Sequence, residues 1–269
     1  MKGTDIIEPQ DSFLSNKVFE EISYIRIFYD SISQECWRWI PNGVSTSFPI
    51  LNYNQYVFSS LEGTLDTIQT ILKKNRITDA LVLVRKYFDD VLVSIYMDVY
   101  RKEHFDLENN YSVEDAEKWI KDKYRIPTLK GILKLLKKSS YTKELYPFFG
   151  WETYLKRNRE LLDDYVHSNR FQSFLLNCHN YIPNREKWLD NVSIILSQIF
   201  TMHLSFLFCL NSEYFIASDF MDSLDEGIPA PEGSDHWIAP NAQEAFDKYI
   251  KSHTALANYI KKKSFLNID

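Results

Sequence analysis

Glycine, proline and cysteine are scarce in this chain. Its 269 residues include only 7 Gly and 9 Pro, so few positions can form the tight turns that β-sandwiches and β-barrels require. The three cysteines, Cys36, Cys178 and Cys209, are far apart and form no CxxC pair. This spacing indicates no disulfide framework and is typical of a reducing cytosol. The N-terminal residues have no apolar core, so we expect no signal peptide and a cytoplasmic location.

The motifs of several large enzyme classes are also absent. The sequence contains no P-loop, no GxGxxG, no HExxH and no GxSxG, and the six histidines have no spacing that closes a metal site. We therefore predict neither a metal nor a cofactor. The net charge is −6, which excludes a global basic field, so any contact with RNA has to be local.

Apolar residues recur at helical spacing along most of the chain, and no convincing strand alternation is present. The sequence therefore predicts an all-α fold, a multi-helix bundle with long antiparallel helices around a central apolar helix. We expect an N-terminal helix and loop at 1–52 and a helical bundle at 53–269, together forming one compact unit. The predicted helices cover 17–40, 53–74, 79–104, 128–138, 151–170, 185–214 and 242–262. Loops are predicted at 41–51 and 222–236.

The segment 192–210 is uncharged and close to the length that spans a bilayer. Gln198, Thr201 and His203 interrupt it, and no basic clusters flank it. We interpret it as a helix buried by its neighbours rather than a membrane span.

The segment 151–170, WETYLKRNRELLDDYVHSNR, concentrates the chemically useful groups. As one helix it places Arg159, Asp163 and His167 at i, i+4 and i+8 along one face. Histidine moves protons near neutral pH, and the arginine fork holds phosphate. This combination suits metal-independent RNA cleavage, in which the 2′-hydroxyl supplies the nucleophile.

Within that hypothesis, Asp163 orients the ring of His167, and Asn169 and Arg170 bind the substrate. A plainer interpretation is equally open. Carboxylates and basic residues at four-residue spacing form ordinary surface ion pairs. A histidine near a helix C-terminus is stabilised by the helix dipole, and an asparagine after it is a common cap.

Arg85 lies in the middle of the apolar 79–104 helix, where an unpaired guanidinium is costly. Its predicted partner is Asp89 or a carboxylate of another helix, Asp163 or Asp164. A pair with either of the last two would join the two helices beneath a shared pocket and add Arg85 to the substrate-binding residues.

A cluster of lysines makes 128–138 the most basic part of the chain. Leucine and isoleucine residues lie between these lysines at the spacing of an amphipathic helix. We interpret the lysines as a solvated helix face rather than a nucleic-acid patch. The cluster consists of Lys130, Lys134, Lys137 and Lys138.

Three segments resemble the HEPN-like group of helical bacterial proteins, many of which belong to toxin–antitoxin and phage-defence systems. They are DALVLVRKYFDD, RNRELLDDYVHSN and WIAPNAQEAFDKYI. The resemblance implies a helical bundle, dimerisation that brings two Arg/His motifs together, and in many members metal-independent endoribonuclease activity. It assigns the motif arginine to Arg159 and the motif histidine to His167. The family places these two residues closer together, whereas eight helical steps here separate them by about 12 Å.

Two functional hypotheses follow. The first is an HEPN-like ribonuclease with His167 as the acid/base and Arg159 as the phosphate clamp. The second is a non-enzymatic helical module that binds a protein partner, such as another subunit of a defence complex. The acidic net charge favours the second, because nucleases usually carry more basic surface. In both we expect a homo-oligomer or a protein partner and no membrane.

Overall fold

The computed structural model describes residues 11–36, 48–105, 113–178 and 185–269. In these ranges the chain consists of helices and turns, and its only β-type pairings are isolated bridges from Ile216 to Ile238 and from Trp237 to Asn267. The predicted all-α, multi-helix bundle is confirmed.

The α-helices of the described ranges vary widely in length, and four of them are long. In chain order the α-helices are α1 (Asp11–Leu14), α2 (Lys17–Glu35), α3 (Phe48–Lys73), α4 (Ile77–His104), α5 (Glu114–Ile120), α6 (Leu129–Lys138), α7 (Tyr154–Val166), α8 (Gln172–Leu175), α9 (Arg185–Leu210), α10 (Ser218–Glu226), α11 (Pro240–Tyr249) and α12 (Thr254–Lys263). The four long helices are α2, α3, α4 and α9.

Several boundaries differ from those predicted. Helix α2 ends at Glu35, and the remainder of the predicted 17–40 helix, after Cys36, lies outside the described residues. Helix α3 begins at Phe48, inside the predicted 41–51 loop. Pro49 stands in its first turn, where a missing amide hydrogen removes no intrahelical bond. Residues 41–47 lie outside the described ranges.

The predicted 222–236 loop is wrong over its first part, because α10 continues to Glu226. Gly227 then ends the helix with a φ of 68°, the left-handed conformation that glycine adopts at low cost.

The predicted 242–262 helix is divided into α11 and α12. Pro240 occupies the first helical position, as predicted. Continuing the apolar stripe of α11 past Ile250 would place His253 and Thr254 on the buried face. The chain turns here instead, and Leu256 begins a new apolar stripe.

The described residues form two compact units. One contains those of Met1–Tyr29, Ser60–Asp90 and Gly150–Phe200, and the other contains those of Asp30–Ser59, Val91–Phe149 and Thr201–Asp269. Each of the four long helices, α2, α3, α4 and α9, contributes residues to both units. This grouping does not test the predicted boundary after residue 52, which stays a prediction.

In the first unit, Tyr29 and Tyr87 are fully buried. Their hydroxyl oxygens lie 3.0 Å apart and share a hydrogen bond, so neither polar group is buried without a partner. Phe200 packs edge-on against Tyr29, with 5.6 Å between the ring centroids. Aromatic rings in this arrangement stabilise a core beyond the area they bury.

Helices α3 and α4 form the predicted antiparallel hairpin around the short connector 74–76. In the first unit, Lys86 Nζ lies 3.4 Å from Thr64 Oγ1. In the second unit, Asn54 Nδ2 lies 3.1 Å from Asp98 Oδ1. The contacting residue number therefore falls along α3 as it rises along α4, as antiparallel packing requires.

Helix α9 is long and apolar enough to cross a membrane by length and composition. Of its most apolar stretch, 72% is buried inside the protein. His203 in its middle is fully buried. This burial agrees with the predicted packed helix.

Candidate functional site

The predicted 151–170 helix is shorter than expected. Helix α7 covers only Tyr154–Val166, and His167 is the residue that caps its C-terminus. Ser168 adopts a φ of 50°, and the Asn169 amide donates to Asp164 O at 2.9 Å. This pattern closes a helix in a Schellman-type turn. The predicted helix is therefore wrong beyond Val166. Arg159 and Asp163 lie within α7, and His167 caps it with its backbone amide bonded to Asp163 O at 3.0 Å.

The side chain of His167 is exposed. It makes no hydrogen bond or ion pair with any residue in the described ranges. Arg159 Nη1, by contrast, lies 3.1 Å from Asp163 Oδ2. The structure thus joins the predicted clamp to the predicted orienting carboxylate, and leaves the predicted acid/base outside that contact.

Arg85, Asp89, Arg159 and Asp163 form a closed group that we call the Arg–Asp ring. Arg85 Nε lies 2.6 Å from Asp163 Oδ1, and Arg85 Nη1 pairs with Asp89. Arg159 Nη1 bonds Asp163, and Arg159 Nε lies 3.9 Å from Asp89 Oδ1. Each arginine therefore faces both aspartates. Arg85 thus pairs with both Asp89 and Asp163, which the sequence offered as alternatives.

The Arg–Asp ring is a neutral link between α4 and α7. Arg85 is only 8% exposed, so its charge needs close carboxylates to offset the loss of hydration. The same carboxylates occupy Arg159, and a phosphate approaching Arg159 has to compete with two negative charges. The ring therefore suits a structural clamp better than an anion site.

Helix α4 is also held to the α8 region at its N-terminus. Asn177 Oδ1 accepts hydrogen bonds from the backbone amides of Thr78 at 3.1 Å and Asp79 at 3.4 Å. The Thr78 hydroxyl donates to Ser173 O at 2.6 Å. Asn177 thus satisfies first-turn amides that a local cap normally takes.

The other predicted substrate-binding residues turn back towards α7. Arg170 Nη2 lies 2.6 Å from Asp164 Oδ2, and Asn169 Nδ2 lies 3.5 Å from Asp164 Oδ1. Both side chains thus gather at Asp164, whereas Arg85 and Arg159 gather at Asp163. The six predicted site residues are therefore divided into a ring, an Asp164 group and the separate His167.

Two large aromatic side chains follow this turn on the surface. Phe171 is 74% exposed and Phe174 is 61% exposed, and their ring centroids lie 6.2 Å apart. We call them the Phe pair. Leu176 in the same segment is fully buried, so the segment is packed onto the protein while its two rings remain in solvent.

The second unit contains a buried polar cluster that sequence analysis missed. Asp98 is 1% exposed and accepts hydrogen bonds from Tyr53 Oη, from Asn54 Nδ2 at 3.1 Å and from Asn211 Nδ2 at 2.7 Å. Arg101 Nη2 lies 3.4 Å from Asn211 Oδ1. We call these five residues the Asp98 cluster.

The Asp98 cluster extends to neighbouring ionisable groups. Asn54 Nδ2 also donates to Tyr214 Oη at 2.9 Å, whereas Asn54 Oδ1 has no partner in the described part of the chain. Burial raises the pKa of Glu213. A sequence signal existed, since Asp98 and Arg101 interrupt the apolar 79–104 helix. Their partners are too distant in sequence to be recognised from it.

Among the residues that the structure describes, no group of three or more histidine, cysteine, aspartate or glutamate side chains is placed to hold a metal ion. Comparisons with protein-family models, curated proteins and solved structures return no match. The HEPN-like resemblance therefore rests on its three segments alone.

Proposed function

We propose that this chain is a non-catalytic helical module that binds a protein partner through the Phe pair, as a subunit of a bacterial defence or toxin–antitoxin complex. The observation that carries the proposal is the exposure of Phe171 and Phe174 side by side. Large aromatic residues are enriched at protein interfaces and provide much of their binding energy.

The segment that presents the Phe pair is fixed before any partner arrives. Ser173 and Asn177 are hydrogen-bonded to the first turn of α4, and Leu176 is buried. A partner therefore binds rings whose backbone is already ordered, which lowers the entropic cost of association. We infer that the occupant is a protein with an apolar groove.

The Arg–Asp ring supports a binding function over a catalytic one. Arg159 faces two carboxylates in this ring, and recruiting it to a phosphate would leave Asp89 and Asp163 with Arg85 as their remaining cation in the ring. The net charge of −6 also opposes close approach of a polyanion. The HEPN-like resemblance supplies the defence context of the proposal.

Binding is tested with the proteins encoded beside this chain. Each neighbouring protein is tested for co-purification with the parent chain and with a Phe171→Asp/Phe174→Asp variant. Sedimentation of the chain alone measures its self-association. We expect one neighbour to bind the parent and the double variant to lose at least about tenfold in affinity, because hot-spot aromatics contribute 2 kcal/mol or more each.

Ile27→Asp is the matched control, since Ile27 is an apolar residue that is 71% exposed on α2 and does not belong to the Phe pair. It should bind as the parent does. Binding that is unchanged in the double variant, or no binding to any neighbour, contradicts the proposal. Self-association abolished by the double variant would assign the surface to a second copy instead.

A ribonuclease is the second candidate, and one observation favours it. The His167 side chain is exposed and has no hydrogen bond within the described residues, so its imidazole is accessible to a bound RNA. In a dimer such histidines could meet across an interface, as the HEPN-like resemblance implies. Purified chain and a His167→Ala variant incubated with total RNA separate the two functions. Cleavage that the variant lacks supports the ribonuclease, and equal or absent cleavage removes it.

A further inference from the structure

The second unit contains a cleft of about 430 Å³ between α4 and the segment leading into α6. This volume lies within the range of about 300–1,000 Å³ that is usual for small-molecule sites. Tyr96 and Tyr100 line it from α4, and Lys134 and Lys138 line it from α6. Tyr96 is only 4% exposed, so the accessible apolar wall comes from the half-buried Tyr100, Pro127 and Leu135. The cleft therefore combines an apolar wall with positive charge.

The aromatic side of the cleft is a column along α4. The rings of Tyr96 and Tyr100 have centroids 5.7 Å apart, and Tyr100 stacks on His104 with centroids 4.1 Å apart. The Tyr100 hydroxyl donates to Asp115 Oδ2 at 2.8 Å, and the Tyr96 hydroxyl shares a hydrogen bond with Tyr124 at 3.2 Å. Both tyrosine rings are therefore held in place before a ligand enters.

The charged side of the cleft comes from one turn of α6. Lys134 and Lys138 stand at i and i+4 on one helix face and are both exposed. Neither forms an ion pair or hydrogen bond within the described ranges. Glu103 also lines the cleft, so the three charged groups sum to one positive charge. Two unpaired ammonium groups a turn apart suit an anion with several oxygens, such as phosphate.

We propose that this cleft binds a nucleotide, with its phosphate at Lys134 and Lys138 and its base against the apolar wall formed by Tyr100, Pro127 and Leu135. Apolar walls with a few placed charged groups are usual in small-molecule sites, and lysines neutralise phosphate charge. The chemistry is the same for a free mononucleotide and for a nucleotide within single-stranded RNA. The proposal is independent of the Phe pair, which belongs to the other unit.

Isothermal titration calorimetry of the full chain tests the proposal with four probes. They are mononucleotides, the corresponding nucleosides, inorganic phosphate and a short 5′-phosphorylated RNA. We expect mononucleotides to bind at least about tenfold more tightly than nucleosides or phosphate, since each of these lacks one of the two contacts. Binding of RNA but not of mononucleotides would assign the same site to a polynucleotide.

The chain offers a matched pair of variants on one helix. Lys134→Ala/Lys138→Ala removes both cleft lysines, and Lys130→Ala/Lys137→Ala removes two exposed lysines that do not line the cleft. The first should weaken nucleotide binding about tenfold, and the second should change it less than about twofold. Because all four side chains are exposed, both variants should fold, and circular dichroism checks this. Equal losses in the two variants, or no binding of any nucleotide at millimolar concentration, overturn the proposal.

Discussion

Arg85 Nε lies 2.6 Å from Asp163 Oδ1, joining the middle of α4 to α7 across 78 residues of sequence. Arg85 is almost fully buried, whereas the side chain of Asp163 is 32% exposed. Water can partly hydrate the carboxylate but not the guanidinium. The buried arginine therefore needs its partner more than the aspartate does.

Arg85→Ala should destabilise the protein by about 3 kcal/mol, because it removes a nearly buried side chain and leaves a cavity as well as ending the pairing. Asp163→Ala should cost about 2 kcal/mol, since Asp89 continues to neutralise Arg85. A double-mutant cycle in urea should give a coupling energy of about 1–2 kcal/mol.

The control cycle uses Asp247 and Lys251, which form an exposed pair one turn apart on and just beyond α11. Solvent screens such a pair, so its coupling should stay below about 0.5 kcal/mol. Similar coupling energies in the two cycles would show that the Arg–Asp ring is no more than a surface ion pair.

The Asp98 cluster should be the most sensitive polar group in the second unit. Asp98→Ala leaves the Tyr53 hydroxyl and the Asn54 and Asn211 amides without an acceptor, and removes the negative charge beside Arg101. We expect a loss of about 4 kcal/mol in the free energy of unfolding. Tyr53→Phe deletes one donor only and should cost about 1 kcal/mol. A loss below about 1 kcal/mol for Asp98→Ala would contradict the role of Asp98 as the shared acceptor of this cluster.

Burial lowers the pKa of His203 to about 3, and its Nε2 lies 3.2 Å from Ser94 Oγ. In the unfolded chain a histidine titrates near 6.5. Below that pH the unfolded state binds a proton that the folded state excludes, so stability falls as the pH decreases from about 6.5 towards 3. At pH 5 the loss from this one residue should be about 2 kcal/mol.

Urea unfolding at pH 7 and pH 5 measures this effect in the parent and in His203→Gln. The variant should lose about 2 kcal/mol less than the parent between the two pH values, whatever its stability at pH 7. His253→Gln changes an exposed imidazole in the same unit and should lose as much as the parent. A His203→Gln variant with the parent's pH dependence would be incompatible with a neutral, buried imidazole.

Asn177→Ala should destabilise the protein by about 1 kcal/mol, because it removes the acceptor for the Thr78 and Asp79 amides at the start of α4. Asn258→Ala, at an exposed position within α12, should change stability by less than about 0.5 kcal/mol. Chemical denaturation of both variants checks the difference. Equal effects would mean that water can replace Asn177 as the acceptor for the first-turn amides of α4 without loss of stability.

Local pattern was enough to predict the long helices, but it missed the short helices α1, α8 and α10. It also could not show contacts between distant segments. The apolar periodicity of α4 and α9 predicts both elements, because a helix buries one stripe whatever lies opposite. The start of α4 is capped from a distance, because Asn177, about a hundred positions later, accepts hydrogen bonds from the amides of Thr78 and Asp79.

For the candidate sites, the sequence by itself determined that Arg85 needs a carboxylate partner, since an unpaired charge in an apolar helix is too costly to bury. Only the tertiary structure decided that Arg159 belongs to the same ring, that His167 lies beyond the end of α7, and that Asp98 collects donors from two separate stretches. The physical reason is range. Helix formation and burial depend on neighbours within a few turns, whereas a site depends on which helices pack together.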